Sequence, residues 1–319
     1  MERRAVVGID IGGTKTLSAV VDAQGRVLAR RRIETPQRGP ADFVQVLARE
    51  LSTLLGLAGL QKEDLLGLGV GAPGPLAPET GVVFEPPNLA GWRDVPLGTM
   101  LFDATGVPTF VENDANAAAL GEAWVGAGVG VRDQIYITVS TGIGGGLIFN
   151  GELYHGVSGT AGEIGHMTVE PDGPVCTCGR RGHLEGLASG QAIARMAEEA
   201  VRAGRQTRLA GLPPGALTAA VVAQAALDGD AVAREIYARA GHHIGIAVAS
   251  LVNVLNPAMV VFGGGVSKVG DLLFDTVRRV VRERAFERPA EAAKIVPAAL
   301  GDDVGVIGAA AVVYRRAAS

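Results

Sequence analysis

"VGIDIGGTKT", residues 7 to 16, begins as an apolar β-like run, stops on a carboxylate and turns on two glycines. A second apolar run, "LSAVV" (17–21), follows, then the turn "DAQG" (22–25) and a third strand-like run, "RVLARRRIE" (26–34). Strand, Gly turn, strand, turn, strand is a β-meander. The order recurs in "QIYITVS" (134–140), the Gly turn "TGIGGG" (141–146), "LIFN" (147–150), the hairpin signal "NG" (150–151) and "ELYHG" (152–156). Each copy leads on to helical sequence, the first to "PADFVQVLARELSTLLGLA" (40–58). Two copies of one unit predict duplicated α/β halves.

Three glycine-rich turns follow strands: Gly12-Gly13, Gly142 with Gly144 to Gly146, and Gly263 to Gly265. Glycine lets backbone N–H groups approach phosphate oxygens without obstruction by a Cβ, although a tight hairpin accounts for any one of them alone. "GIDIGGTK" lacks the spacing of a Walker loop. "GVGAPG" (69–74) has the G-x-G-x-x-G spacing, but Pro73 and Pro75 forbid the helix that a dinucleotide site needs. Asp10 is the informative residue. It ends a buried strand just before the turn, where a carboxylate can hold Mg²⁺ through water while Gly12, Gly13, Thr14 and Lys15 meet phosphate. Thr141-Gly142 repeats that geometry in the second copy.

Between the meanders, "ENDANAAALGEAWVGA" (112–127) reads as a loop running into an Ala-rich helix. Asp114 suits a general base for a hydroxyl nucleophile, and Asn113 can both donate to and accept from a hydroxyl. Asn-Asp before a helix is also ordinary capping chemistry, and the two roles are compatible.

In order and spacing, "VGIDIGGTKT", "ENDANAAALGE", "VSTGIGGGLIFNGELYHG", "GEIGHM" and "CTCGRRGHLEG" resemble the ROK family of sugar kinases and repressors over essentially the whole chain. The resemblance is nearest to the family's bacterial ATP-dependent glucose kinases. It implies an actin-like, ribonuclease-H-like α/β fold of two domains around a cleft, with the C-terminal helix returned to the N-terminal domain. The expected division is 1–115 plus 300–319 against 116–299. It further implies that ATP with Mg²⁺ lies on the glycine turns, with Gly264 and Gly265 near the adenosine. Asp114 would take the proton of the sugar 6-hydroxyl. Asn113, Glu163, His166 and Glu185 would hold the ring, and the chain would form a homodimer or homotetramer.

Both cysteines of the chain lie in "CTCGRRGHLEG" (176–186). A Cys176–Cys178 disulfide would close a small strained ring, and two free thiols give no reason for the spacing. C-x-C with His183 five residues on and His166 ten residues before supplies four N/S ligands, the set of a closed structural Zn²⁺ site. The family pattern has a third Cys where His183 stands, so Cys₂His₂ coordination is expected here. A zinc-bound ring would fix the second nitrogen of His166 toward the sugar.

Hydrophobic residues make up 48% of the 319 and charged residues 19%, which excludes disorder. The net charge is −4 with no basic stripe, so nucleic acid is not an expected partner. Arg30–Arg32 and "VRRVVRERAFER" (277–288) read as a strand end and a solvated helix face. The uncharged run Ile244–Val266 reads as a buried helix, a turn at Asn256-Pro257 and a strand, not a membrane span. The N-terminal apolar run is too short for a signal peptide. Together these predict a soluble cytoplasmic protein. The rival readings are a kinase for fructose, mannose or an N-acetylhexosamine, use of polyphosphate as donor, and a sugar-responsive repressor. The last needs a helix-turn-helix for which the turn at Gly12 leaves no room.

Overall fold

The structure, a computed structural model, describes residues 5–86, 88–213 and 215–318. The chain runs β1 (Ala5–Ile11), β2 (Lys15–Asp22), β3 (Val27–Glu34), α1 (Pro40–Ala58), β4 (Leu65–Ala72), the two-residue strands β5 (Leu76–Ala77) and β6 (Val82–Val83), α2 (Leu97–Thr105), β7 (Thr109–Asn113) and α3 (Asp114–Val125). It continues through β8 (Gln134–Val139), β9 (Ile143–Phe149), β10 (Glu152–Leu153), α4 (Leu184–Ala188), α5 (Gly190–Arg202), α6 (Ala219–Leu227) and α7 (Ala231–Leu255). It closes with β11 (Met259–Gly263), α8 (Asp271–Arg284), α9 (Glu287–Ala292), β12 (Lys294–Pro297) and α10 (Val304–Ala318).

The duplication read from the sequence is visible in the sheets. One has the order β3-β2-β1-β4-β7 and the other β10-β9-β8-β11-β12, the same arrangement of a meander followed by two crossover strands. In the first, β1–β2 and β2–β3 are antiparallel while β1–β4 and β4–β7 are parallel. In the second, β10 is antiparallel to β9, and β11 is parallel to β8 and β12. Parallel pairs require crossovers, which α1, α2, α7 and the α8–α9 stretch supply.

The chain divides into two compact units: 1–130 with 146–161 and 299–319, and 131–145 with 162–298. The first is wider than the expected 1–115 plus 300–319, because α3 packs along α10. That crossing is close enough that a Cβ on Gly121 would stand 3.0 Å from the backbone of Gly308.

Period-two alternation buries both faces of β1. Val7 and Ile9 join Phe43, Leu47, Leu51 and Leu54 of α1 in one core, and Val6 joins Val306, Ala310 and Val313 of α10 in another. Gly8 and Gly69 lie under α10, where a Cβ on either would run into the helix backbone at Val306 and Ala309. These glycines let α10 settle directly on β1 and β4. In the second unit, α7 is capped by Asp230 and ends on Asn256 in the left-handed region (φ 47°). It packs on α8, with Gly245 beneath Val280.

Three local expectations are corrected. Gly144–Gly146 belong to β9, not to a turn. Ile164 packs where a Cβ on Gly145 would lie, and Ala119 of α3 where one on Gly146 would lie, so the glycines admit neighbours to the strand. Glu112 and Asn113 end β7 and pass straight into α3, with no loop between them. β10 stops at Leu153, well short of 156, and Gly156 follows at φ 68°. The run Ile244–Val266 forms the end of α7, a turn and β11 as expected. Among the described residues, no helix is long and apolar enough to cross a membrane.

Candidate active site and metal centre

The β1–β2 turn closes with Gly12 N–H donating to the Lys15 carbonyl (3.0 Å). The Thr35 hydroxyl donates to the Gly12 carbonyl (2.7 Å) and Gln37 Nε2 to that of Gly13 (3.0 Å). Thr35 N–H donates to the Thr14 carbonyl (3.0 Å). All four carbonyls from Gly12 to Lys15 are therefore occupied within the unit, which removes acceptors from a turn whose Thr14 and Lys15 are exposed. Such a turn suits phosphate. Thr35 and Gln37, which brace it, carried no signal in the sequence because their partners are backbone atoms 23 and 24 residues away.

Asp10 lies behind this turn against Gly305 in the first turn of α10, where a Cβ would collide with its carboxylate. Burial alone pushes its carboxyl up to about 6. Among the described residues no hydrogen-bond donor stabilises this carboxylate, which fits the outer-sphere ligand of a hydrated Mg²⁺, whose charge would reverse that shift.

At the β7–α3 corner the cap is Asn113: its Oδ1 accepts from Ala115 N (3.0 Å) and Asn116 N (3.2 Å). Asp114 is the first helical residue and is exposed, with Oδ1 accepting from Ala115 N (2.8 Å). Glu112 beneath them is buried. Its Oε1 accepts from Asn113 N and Asn116 Nδ2 (both 3.0 Å), and its Oε2 lies 2.8 Å from His155 Nε2. In the sequence Glu112 carries no task of its own, and His155 falls within the run 152–156 expected as a strand, with no partner in view.

In the second unit, the turn after β8 is closed by Ser140 N–H donating to the Gly142 carbonyl (2.9 Å), and Thr141 is exposed. Ile143 N–H donates to Glu185 Oε2 (3.0 Å), an approach that only a glycine at 142 permits. Glu185 Oε1 accepts from the Thr177 hydroxyl (2.6 Å). The residue expected against a sugar thus also ties the second glycine turn to the cysteine loop, with lone pairs remaining for a hydroxyl donor. Beyond β11, Gly264 (φ 86°) crosses the Val139 backbone too closely for a Cβ, whereas Gly265 has open space at that position.

The four metal-ligand candidates do converge. One donor atom from each of His166, Cys176, Cys178 and His183 lies within 4.8 Å of the others. Tetrahedral zinc with bonds of about 2.0–2.3 Å separates its ligand atoms by roughly 3.3–3.8 Å, so the set fits a closed structural site with little movement. The knuckle is backbone-made: Gly179 N–H donates to the Cys176 carbonyl (2.9 Å) and Cys176 N–H to that of Arg180 (2.8 Å). His166 Nδ1 faces Cys176 Sγ (3.8 Å), and its Nε2 lies 3.8 Å from Glu163 Oε2. His183 Nδ1 lies 3.2 Å from Cys178 Sγ, which brings the residue standing in the third-cysteine position into the cluster. Burial, then the neighbouring His166 and Arg180, hold His183 below its ordinary range and keep it neutral, the form that ligates. Burial likewise raises the Cys176 thiol, a shift that a bound cation overrides.

The glucokinase of Halalkalibacterium halodurans is 43% identical over 312 residues, covering 97% of this chain and 94% of its own. A ROK family glucokinase from Streptomyces griseus, solved in complex with glucose and AMPPNP, superposes with a TM-score of 0.84 at 35% identity, covering 98% of this chain and 99% of that one. The ROK hexokinase of Thermus thermophilus gives 0.81 at 36% identity, with the same coverage of 98% and 99%. The ROK family model matches residues 6–316, and with it the duplicated sheets acquire their lineage: the chain belongs to the ROK family and has its actin-like, ribonuclease-H-like fold.

Proposed function

We propose that the protein is an ATP-dependent glucokinase, transferring the γ-phosphoryl group of ATP to the 6-hydroxyl of glucose. The observation that carries the reading is the division of labour at the β7–α3 corner. Asn113 supplies the helix cap through Ala115 N and Asn116 N, and Asp114, whose Oδ1 also accepts from Ala115 N, presents its carboxylate exposed at the strand-to-helix junction. Asp114 accepts the proton of the 6-hydroxyl as that oxygen attacks the γ-phosphorus. The bond from phosphorus to the β–γ bridging oxygen breaks, and ADP leaves. Asp10 would hold a hydrated Mg²⁺, which would supply neutralisation of phosphate charge. The reading assigns phosphate to Gly12, Gly13, Thr14, Lys15, Thr141 and Gly142, and the adenosine to Gly264 and Gly265. Asn113 Nδ2, Glu163, His166 Nε2 and Glu185 receive the sugar hydroxyls. His166, Cys176, Cys178 and His183 would hold a structural zinc, which would fix the loop and supply no chemistry to the transfer. The same reading puts the protein in the cytoplasm as a homodimer or homotetramer, a size that sedimentation of the metal-loaded chain measures directly.

Steady-state kinetics over a panel of hexoses with ATP, and with polyphosphate as alternative donor, test the assignment. Glucose with ATP gives the highest kcat/KM. Asp114→Asn lowers kcat by about 10²–10⁴, the range for loss of a general base, and leaves glucose affinity within a few-fold. A fructose-led profile overturns the substrate, and near-normal turnover by Asp114→Asn overturns the mechanism.

A further inference from the structure

Glu112 is the carboxylate of the corner that sugar phosphorylation leaves without a role, yet it is only 2% exposed. Its two oxygens do different work. Oε1 takes two donors from the corner itself, Asn113 N–H and the Asn116 side chain, one on each side of Asp114. Oε2 meets His155, which lies just past β10 and whose own carbonyl anchors the following turn through Ala161 N–H (3.0 Å). If the carboxylate rotated, both corner bonds would be lost together. The contact that opposes rotation is the imidazole on the other oxygen.

We propose that His155 is a positioning residue for phosphoryl transfer, its imidazolium holding the Glu112 carboxylate and, through it, the register of Asn113 and Asp114. The inference rests on the sugar-kinase reading of Asp114. A buried carboxylate is costly unless paired and hydrogen-bonded, and a charge-assisted bond of 2.8 Å meets both needs. The charged groups that act on His155 are Glu112, Arg316 of α10 and Glu79 between β5 and β6. The hydrogen bond to Glu112 is the largest influence and raises the imidazole above its ordinary value, against burial and Arg316, with Glu79 adding slightly to the rise. The sign follows. The ion pair is complete below the ordinary histidine value of about 6.5 and is lost as pH rises through the raised one. Above that pH a neutral ring still donates one hydrogen bond, but without charge.

The test uses His155→Arg, which keeps a permanent cationic donor, and His155→Gln, which keeps a neutral one. Two readouts are taken from about pH 6 to about pH 9, across the ordinary histidine range: kcat with a saturating hexose, and amide hydrogen exchange of residues 110–118 without substrate, expressed relative to each amide's intrinsic rate at that pH. In the wild type, kcat falls and exchange at 113–116 rises along the alkaline limb. His155→Gln lies at the low plateau throughout, with kcat down about tenfold and KM for ATP within twofold. That is milder than the roughly 10²-fold cost of misplacing a reacting group by an ångström, because Asn113 still caps the helix. His155→Arg removes the alkaline limb from both readouts. Wild-type kcat and exchange in His155→Gln, or an unchanged alkaline limb in His155→Arg, overturn the proposal alone. A wild-type protein that phosphorylates no hexose overturns the sugar-kinase reading and this inference with it, a result distinct from either.

Discussion

The β7–α3 corner of the first unit and the 163–185 segment of the second both have to hold polar side chains still, and they do it by different means. The corner is a junction of regular elements, and its side chains are fixed by amides one to three residues away: Asn113 by the first turn of α3, Glu112 by Asn113 and Asn116. From 163 to 183 the described residues hold a single 3-10 turn, Ile164–His166, and two isolated bridges, Thr168–His183 and Val175–Arg181. Backbone bonds such as Val169 N–H to the Gly182 carbonyl (2.8 Å) and Leu184 N–H to that of Met167 (2.9 Å) set the path of the segment, and a cluster of four soft or borderline donors offers a second clasp. Backbone hydrogen bonds are part of folding, whereas a metal clasp is a separate equilibrium added to it.

The largest predicted effect removes the clasp. Cys176→Ser, or exhaustive chelation, should release about one equivalent of zinc per chain, since a four-ligand site holds one ion. Hexose affinity should fall by about two orders of magnitude, because His166 and Glu185 lose their orientation together. Amide exchange should rise across 163–185 while 110–118 stays protected. Protection of both regions in the metal-free protein would mean that backbone bonds alone hold the 163–185 segment. Burial already raises the Cys176 thiol, so zinc must displace a proton to bind, and affinity should weaken as pH falls.

A smaller effect strikes the other end of α3, where hydrogen bonds alone are at stake. Glu122 is fully buried, and its carboxylate accepts from Ala127 N (2.7 Å), Ala299 N (3.0 Å) and Leu300 N (2.9 Å). It fastens the end of α3 to the chain entering α10. Glu122→Ala leaves these donors unpaired, at about 1–3 kcal/mol for each that water cannot reach, so a loss of about 3 kcal/mol or more is expected in denaturant unfolding. Glu122→Gln, which keeps one acceptor oxygen, should recover part of it. Zinc content should be unchanged in both, which separates the two kinds of support.

This contrast also explains what the sequence disclosed. The meanders, α1 and the α7–turn–β11 passage were legible because period-two and period-3.6 patterns, Pro40 and the αL-prone Asn256 act locally. The metal ligands were legible because residue type names the chemistry. Gly144–Gly146 suggest a turn in the sequence, but the reason for Gly145 and Gly146 lies in Ile164 and Ala119, which approach from elsewhere in the chain. Glu112 and His155 share the same difficulty: a pair 43 residues apart leaves no periodic trace. Asn113 and Asp114 were found as a pair, but only the backbone showed which of them is the cap.

The smallest effect concerns a carboxylate supported by neither means. Glu112 and Glu122 are saturated with N–H donors, whereas burial is the sole influence on Asp10 and lifts it from 3.8 to about 6. A carboxyl whose folded value exceeds its unfolded one stabilises the fold most below the unfolded value. That contribution disappears as pH rises through about 4 to about 6, and at neutral pH the fold holds a poorly solvated charge. Asp10→Asn should therefore stabilise the metal-free, nucleotide-free protein at pH 7 by about 1–2 kcal/mol, less than the full shift would convert to because the side chain is partly exposed. The gain should vanish near pH 4, where both side chains are neutral. The same variant should lose affinity for Mg²⁺ and ATP, since a stable neutral side chain gives up the charge the cation uses. Thermal unfolding of both proteins between the two pH values decides it. A gain that persists at the acid end would mean that Asn packs better against Gly305, and that the buried charge is not the cause.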